Sequence, residues 1–261
     1  MPTPDRSRPM PDVQIREQRY KDERPAEHFV RYHQRTRAHE PEARVYEVVR
    51  VFTVLNALIA FRARSIGSEN VPAGPVILAP NHASFMDHFF TAGFIRRRIQ
   101  FMAKSQLFAP GLPQYVFSHG GVFPVRRGVA DEEAFTTAFA VLARGGALGM
   151  YCEGGRSRTG ELAERARPGI GRLALESGAP VVPVAILGSH QARNWRRGRL
   201  PKVIVRYGTP LRFPVDPAPT RERQQLCADT ILERIRSMHS EMVALGPRGT
   251  LRAARRGELR G

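Results

Sequence analysis

The sequence predicts an α/β fold, a single domain with a largely parallel, mixed central sheet flanked by helices. Three observations carry that prediction. Short apolar runs alternate along the chain with stretches of helical periodicity, the pattern of βα units. Several of the runs are apolar on consecutive residues, as strands covered on both faces are. Polar clusters follow strands directly, and in open sheets of this type ligands sit beyond the carboxyl ends of the strands. The 261 residues suffice to bury a sizeable core.

Taken in order, residues 1–42 are rich in Pro, Arg and acidic residues with little periodicity, and read as a flexible polar arm. Residues 43–64 hold "VYEVVRVFTVLNALIAF" (45–61), where Glu47, Arg50, Thr53 and Asn56 recur every third position on an otherwise apolar helix. The run is too interrupted to span a bilayer, which takes roughly 20 apolar residues. It reads equally as an amphipathic helix lying in a membrane interface or as one packed on the core. The domain proper is expected over 65–245. Strands are expected at "VILAP" (76–80), "IQFMA" (99–103), "GVFPV" (121–125), "ALGMYC" (147–152), "VVPVAIL" (181–187) and "KVIVRYG" (202–208). Helices are expected around 85–97, 131–144, 169–177 and 221–245. In the last, Ile231, Ile235, Met238, Met242 and Leu245 form a one-sided apolar stripe. Residues 246–261 read as a basic tail, and no internal repeat is present.

The formal net charge is +17, and nearly all of the cations are arginine, the only lysines being Lys21, Lys104 and Lys202. The planar, bidentate guanidinium favours phosphate-bearing partners, although a compositional habit of arginine gives the same surface. A basic nucleic-acid-binding module is therefore the alternative from a different function class. No nucleic-acid motif accompanies the charge, and no specific nucleic acid is expected. Cys152 and Cys227 have neither disulfide-framework nor metal-ligand spacing, which suits a reducing compartment. No apolar run backs the N-terminal charges, so no signal peptide is expected.

Three polar clusters stand at strand ends. In "ILAPNHASFMDHFF" (77–90), His82 and His88 surround Asp87. Five residues on one helix place side chains about 140° apart. His82 and Asp87 can meet only if the histidine lies in the turn before the helix and the aspartate in its first turn. The carboxylate then orients the imidazole, leaving its other nitrogen free as a general base. The bland reading is that Ser84-x-x-Asp87 is a capping box. A metal site from His82, Asp87 and His88 lacks a fourth ligand. In "GGVFPVRRG" (120–128), Arg126 and Arg127 either clamp a phosphate or decorate a solvated turn. In "YCEGGRSRTG" (151–160), Gly154 and Gly155 allow backbone N–H groups to approach an anion, and Arg156 and Arg158 neutralise it. Glu153 can fix an arginine or bond a substrate hydroxyl. Cys152 is a candidate nucleophile with no histidine near it in sequence, and a small cysteine there reads as packing.

Together and in order, these clusters resemble the glycerolipid acyltransferases typified by 1-acyl-glycerol-3-phosphate acyltransferase. Asn81, His82 and Asp87 match that family's N-H-x-x-x-x-D block. Phe123 and Arg126 match its Phe-x-x-Arg block. Glu153, Gly154, Gly155, Arg156 and Ser157 match its Glu-Gly-x-Arg-Ser block, and Val182, Pro183 and Val184 match its Val-Pro-Val block. The resemblance covers roughly residues 65–215. One departure is that Tyr151 and Cys152 stand where Phe-Pro is usual. Another is that a clear N-terminal membrane span, which many relatives have, is missing. The resemblance implies His82 as base and Asp87 as its orienting partner. It implies substrate binding by Asn81, Arg126, Glu153, Gly154, Gly155, Arg156, Ser157 and Pro183, with no metal or other cofactor. The implied reaction moves a fatty acyl group from acyl-CoA or acyl carrier protein to a lysophospholipid, most naturally 1-acyl-glycerol-3-phosphate, giving phosphatidic acid. Glycerol-3-phosphate, another lysophospholipid or a glycolipid are alternative acceptors, and a catalytically silent lipid-binding relative is a further alternative. Peripheral attachment to the anionic cytoplasmic face of the cell membrane, through the 45–61 helix and the basic surface, is expected.

Overall fold

The computed structural model describes residues 22–108, 110–157, 159–192 and 200–259. Its seven strands are β1 (Arg64–Ile66), β2 (Val76–Pro80), β3 (Ile99–Lys104), β4 (Val122–Val125), β5 (Ala147–Gly149), β6 (Val181–Leu187) and β7 (Ile204–Tyr207). They form one sheet in the order β1-β7-β6-β2-β5-β3-β4. Every neighbouring pair is parallel except β6 and β7. The mixed, largely parallel sheet is thus the one the sequence predicts; β1 is an addition the apolar pattern is too short to show.

Among the described residues, seven α-helices cover the sheet: α1 (Glu27–Ala38), α2 (Ala43–Ile59), α3 (Asp87–Gly93), α4 (Leu112–His119), α5 (Glu132–Ala143), α6 (Gly169–Ser177) and α7 (Arg221–Arg255). Successive strand residues face opposite ways, and both ways are buried. Ile77 and Ala79 of β2 enter a core shared with α5, α6 and α7. Val76 and Leu78 enter a second core with Ala57 of α2 and Phe90 of α3. That double burial is why β2 and β6 read as unbroken apolar runs. The α6–α7 contact is close enough that a Cβ on Gly171 would lie 1.9 Å from the Gln224 carbonyl oxygen.

Two expected appendages are instead part of the packed body. Within the expected arm, residues 1–21 lie outside the described residues, but α1 buries Phe29 and Tyr32 against Phe108. His33 Nδ1 lies 3.0 Å from Thr137 Oγ1, and Arg24 donates to the carbonyls of Phe108 and Ser105. Two aromatics at i,i+3 amid charges make too weak a period to be seen in the sequence. At the other end, α7 continues past 245. It breaks at Gly246, whose φ of 63° and ψ of 172° are not helical, and resumes from Pro247. The resumed segment buries Thr250 and Ala253 and sets Leu251 beside Met238 and Met242. The break ends the predicted stripe early, since Leu245 is exposed while the four residues before it in the stripe are buried.

Candidate active site

The carboxyl end of β2 leads directly into Asn81 and His82. Asn81 is buried; its amide donates to the Ile186 carbonyl at 3.2 Å and accepts the Ile186 N–H at 2.7 Å. It ties β2 to β6, and its side chain is spent on that strand, which corrects the binding role expected of it.

His82 leaves the strand in a turn, and α3 begins at Asp87, so the five-residue separation closes. Nδ1 lies 3.0 Å from Asp87 Oδ2, and the same oxygen accepts the N–H groups of Ala83 and Ser84, each at 2.7 Å. The turn's backbone thereby fixes the carboxylate where the imidazole needs it. Because a carboxylate only accepts, Nδ1 carries the proton and Nε2 is left with its lone pair. Ser84 Oγ accepts from Met86 N at 3.2 Å. The capping reading is therefore met only in part: the carboxylate that organises the turn also orients the histidine. Burial is the main force holding the His82 pKa below its usual value; the Asp87 bond opposes it, and Arg156 and Arg127 add to the lowering. The ring is neutral near pH 7, as a base must be.

The loop after β5 grips the backbone of His82 from both sides. Glu153 Oε1 accepts the His82 N–H at 2.6 Å and Oε2 accepts the Ala163 N–H at 3.0 Å, while the Ser157 N–H donates to the His82 carbonyl at 2.7 Å. Glu153 holds backbone, contrary to the expected grip on an arginine or a substrate hydroxyl. Burial raises its pKa, and its two backbone bonds oppose the rise. Gly154 has φ of 69°, and a Cβ there would lie 2.6 Å from Arg167 Cγ; Gly155 continues the same bend. Ser157 Oγ accepts the Gly160 N–H at 3.0 Å, so this serine shapes the loop. Tyr151 lies almost flat on His82, ring centroids 3.8 Å apart.

Beside His82 opens a cavity of about 330 Å³. Its apolar lining includes Phe85, Phe101, Leu107 and Phe117, and its cations are Lys104, Arg127 and Arg156, with no carboxylate among the lining residues. Burial, then Arg156 and Arg127, lowers the Lys104 pKa. Three cations converging on one cavity suit an anion. The second arginine pair divides here. Arg127 enters the cavity, whereas the Arg126 N–H donates to Asp131 Oδ2 at 2.6 Å and its Nε lies 3.8 Å from the same oxygen. Arg126 does not line the cavity, so the expectation is corrected by one residue. Pro183 is also misplaced as a substrate ligand: it is buried in β6 opposite Ala79, and its carbonyl accepts from Gly208.

His88 lines the cavity but meets Phe89, Phe85 and Phe101 with ring centroids at 3.9, 4.9 and 6.1 Å. Burial first, then His82 and Arg156, pushes its pKa down to about 3. Without an orienting acid it is a wall. A smaller apolar cavity of about 90 Å³ lies beneath α2, bounded by Val49, Thr53 and Val116, and shares His88, Phe101, Phe117 and Val122 with the first. Cys152 is fully buried and its thiol is pushed up to about 12, chiefly by burial, which removes it as a nucleophile. Among the described residues no group of histidine, cysteine and acidic side chains is arranged to hold a metal, and no helix is long and apolar enough to cross a membrane.

Lys104 and Tyr151 were missed as site residues, whereas Arg127 was read with Arg126 as a phosphate clamp or a solvated turn. Lys104 was in reach of the sequence, since it closes β3 at the carboxyl end where ligands gather. Tyr151 was not: its stack depends on β5 lying between β2 and β3. Phe101 is paired with Gly149 in the β3–β5 register, and a Cβ at Gly149 would fall 2.2 Å from the Phe101 ring.

Residues 62–187 match the Acyltransferase family model. A chloroplastic 1-acyl-sn-glycerol-3-phosphate acyltransferase of Brassica napus is 27% identical over 47% of this chain and 36% of its own length. The corresponding enzyme of Cocos nucifera is 31% identical over 51% of this chain and 44% of its own. A probable enzyme of the same name from Mycoplasma genitalium is 25% identical over 57% and 58%. The chain thus spans less than two thirds of the curated relatives it matches. Among solved structures, the 1-acyl-sn-glycerophosphate acyltransferase PlsC of Thermotoga maritima shares the fold, with a TM-score of 0.57 and 21% identity over 80% of this chain and 87% of that one. Through residues 62–187 the chain matches an acyltransferase domain, and over about half of its length it is similar to glycerolipid acyltransferases.

Proposed function

We propose that the protein transfers a fatty acyl group from an acyl thioester, on coenzyme A or acyl carrier protein, to the free hydroxyl of 1-acyl-glycerol-3-phosphate. The observation that carries this reading is the oriented, neutral imidazole of His82, 3.0 Å from Asp87, in a cavity whose other walls are apolar and cationic. Those walls suit the two ends of a lysophosphatidic acid. The names of the relatives supply the same substrate class.

In the reaction, His82 Nε2 takes the proton of the acceptor hydroxyl as that oxygen attacks the thioester carbon. The new C–O bond forms, the C–S bond breaks, and the proton passes from Nε2 to the departing sulfur, which leaves as a thiol. Asp87 keeps Nδ1–H in place and balances the transient imidazolium. Donor and acceptor balance the transfer without a further reactant. Lys104, Arg127 and Arg156 hold the acceptor phosphate. β2 and β3 are two strand spacings apart, about 10 Å, a gap that long cationic side chains bridge towards a hydroxyl at His82.

The enzyme works at the cytoplasmic face of the cell membrane, attached peripherally. α2 supports this. Its inner side packs on the core through Tyr46 and Ala57, while Val48, Phe52 and Ile59 are 70%, 71% and 77% exposed. Exposed apolar residues in such number suit lipid rather than water. The inner side meets the core-packing reading of this helix, and the outer side supports the membrane-interface reading. Replacing Phe52 and Ile59 by serine should weaken sedimentation with anionic vesicles; unchanged binding removes α2 as the anchor.

The deciding experiment incubates the protein with a labelled acyl-CoA or acyl carrier protein and a panel of acceptors: 1-acyl-glycerol-3-phosphate, glycerol-3-phosphate, other lysophospholipids and a glycolipid. Strongest turnover on 1-acyl-glycerol-3-phosphate is expected, with Arg127→Ala raising its KM about tenfold or more and Arg126→Ala leaving it nearly unchanged. Strong turnover confined to a phosphate-free acceptor overturns the role given to the cationic wall.

A further inference from the structure

His82 is held by its backbone and by one hydrogen bond through Nδ1. The Nδ1 bond holds one edge of the ring, so the ring plane takes a second restraint from its face. Tyr151 supplies that restraint. Its ring lies 3.8 Å from the imidazole, centroid to centroid, with 23° between the planes. Phe101 lies nearly parallel to Tyr151 in turn, 6.4 Å away at 25°, and Gly149 leaves Phe101 its room. The Tyr151 hydroxyl is buried and makes no hydrogen bond among the described residues. A buried tyrosine whose oxygen anchors nothing there is kept for its ring.

We propose that Tyr151 is the positioning residue of the base: its aromatic face holds the His82 imidazole in the plane that aims Nε2 at the acceptor hydroxyl. The same face stabilises the imidazolium formed as the proton is taken, because the π surface of an aromatic ring attracts a cation. The proposal rests on His82 being the base of the reaction above.

The charges around His82 act on an imidazolium in both directions, Asp87 in its favour and the nearby arginines against it. Among the described residues, Asp87 from α3 is the carboxylate bonded to the ring, and Glu153 is engaged with the backbone N–H. Arg127 after β4 and Arg156 in the Tyr151 loop oppose protonation. Lys104 from β3 and His88 from α3 line the same cavity. Substituting Tyr151 leaves all of these in place, so a phenylalanine and an aliphatic replacement differ only in the aromatic face beside the ring.

The test compares Tyr151→Phe with Tyr151→Leu in two measurements: kcat and KM across pH, and NMR titration of the His82 ring, which needs no turnover. Tyr151→Phe should keep kcat within about twofold and leave the His82 midpoint in place, since the stack remains. Tyr151→Leu should lower kcat about tenfold or more with little change in acceptor KM, because the base is misaligned, and should move the His82 midpoint to lower pH. Wild-type kcat and midpoint in Tyr151→Leu, or a midpoint that rises, overturn the proposal. So does a Tyr151→Phe protein as impaired as Tyr151→Leu, which assigns the effect to the hydroxyl. Should Tyr151→Leu not fold, Tyr151→Met makes the same comparison. If the wild-type protein transfers no acyl group, the acyl-transfer reading fails while the titration still decides the stack.

Discussion

The two faces of the sheet are packed to different ends. On one, α5, α6 and α7 close over an unbroken core, and α6 meets α7 so tightly that Gly171 has no room for a Cβ. On the other, α2 and α3 cover the strands but leave two neighbouring cavities that share lining residues, and α2 carries a second, outward apolar side. The same alternating side chains feed both faces. The difference teaches that the closed face holds the molecule together, whereas the open face gives up packing to leave cavities beside His82.

Substitutions should separate the two faces. The largest expected effect is His82→Ala on the open face, a fall in kcat of about 10³-fold with thermal unfolding unchanged, since the residue acts in chemistry and its backbone holds the loops. Asp87→Asn should follow it closely; full activity in either variant would falsify the assignment of the base. His88→Ala should cost far less, and a loss equal to that of His82→Ala would mean the other imidazole is the base. On the closed face, Gly171→Ala should remove about 1–3 kcal/mol of stability with kcat per folded molecule preserved, as read by denaturant unfolding and active-site titration. A kcat loss matching that of His82→Ala would erase the distinction between the faces.

The smallest effect is acid-linked and again belongs to the open face. Unfolded histidine binds its proton near 6.5, and native His88 only near 3, so below 6.5 the unfolded state binds more protons. The stability this gives the native state is complete above about 6.5 and declines as the pH falls towards 3. Between pH 7 and 5 the loss from His88 is about 2 kcal/mol, and His88→Leu should show a shallower decline in calorimetry. His33 and His239, both lowered chiefly by burial, add to the slope in either protein. The acid limb of kcat/KM should lie below the ordinary histidine value for the same reason, because His82 is lowered as well.

Much of this was legible in the chain. The doubly buried runs of β2 and β6 read as strands because both faces of the sheet are covered, and the His82-to-Asp87 interval read as a turn entering a helix because no single helix could join them. α1 was not legible, since its buried aromatics meet Phe108 and Phe117, which lie far along the sequence. The roles of Asn81, Glu153 and Pro183 were misjudged for a shared reason. Their places in the motifs mark them as needed, but only their partners, Ile186, the His82 and Ala163 N–H groups, and Gly208, reveal that the need is structural.

What the sequence by itself determined is the set of elements and the type of chemistry. Apolar periodicity and turn chemistry act over a few residues, and so does the spacing of a base from its acid. Tertiary structure alone decided which of Arg126 and Arg127 lines the cavity, that Glu153 holds backbone, and that Tyr151 lies on His82. Those outcomes depend on strand order, with β5 between β2 and β3, and that order is set by contacts between residues distant in the chain.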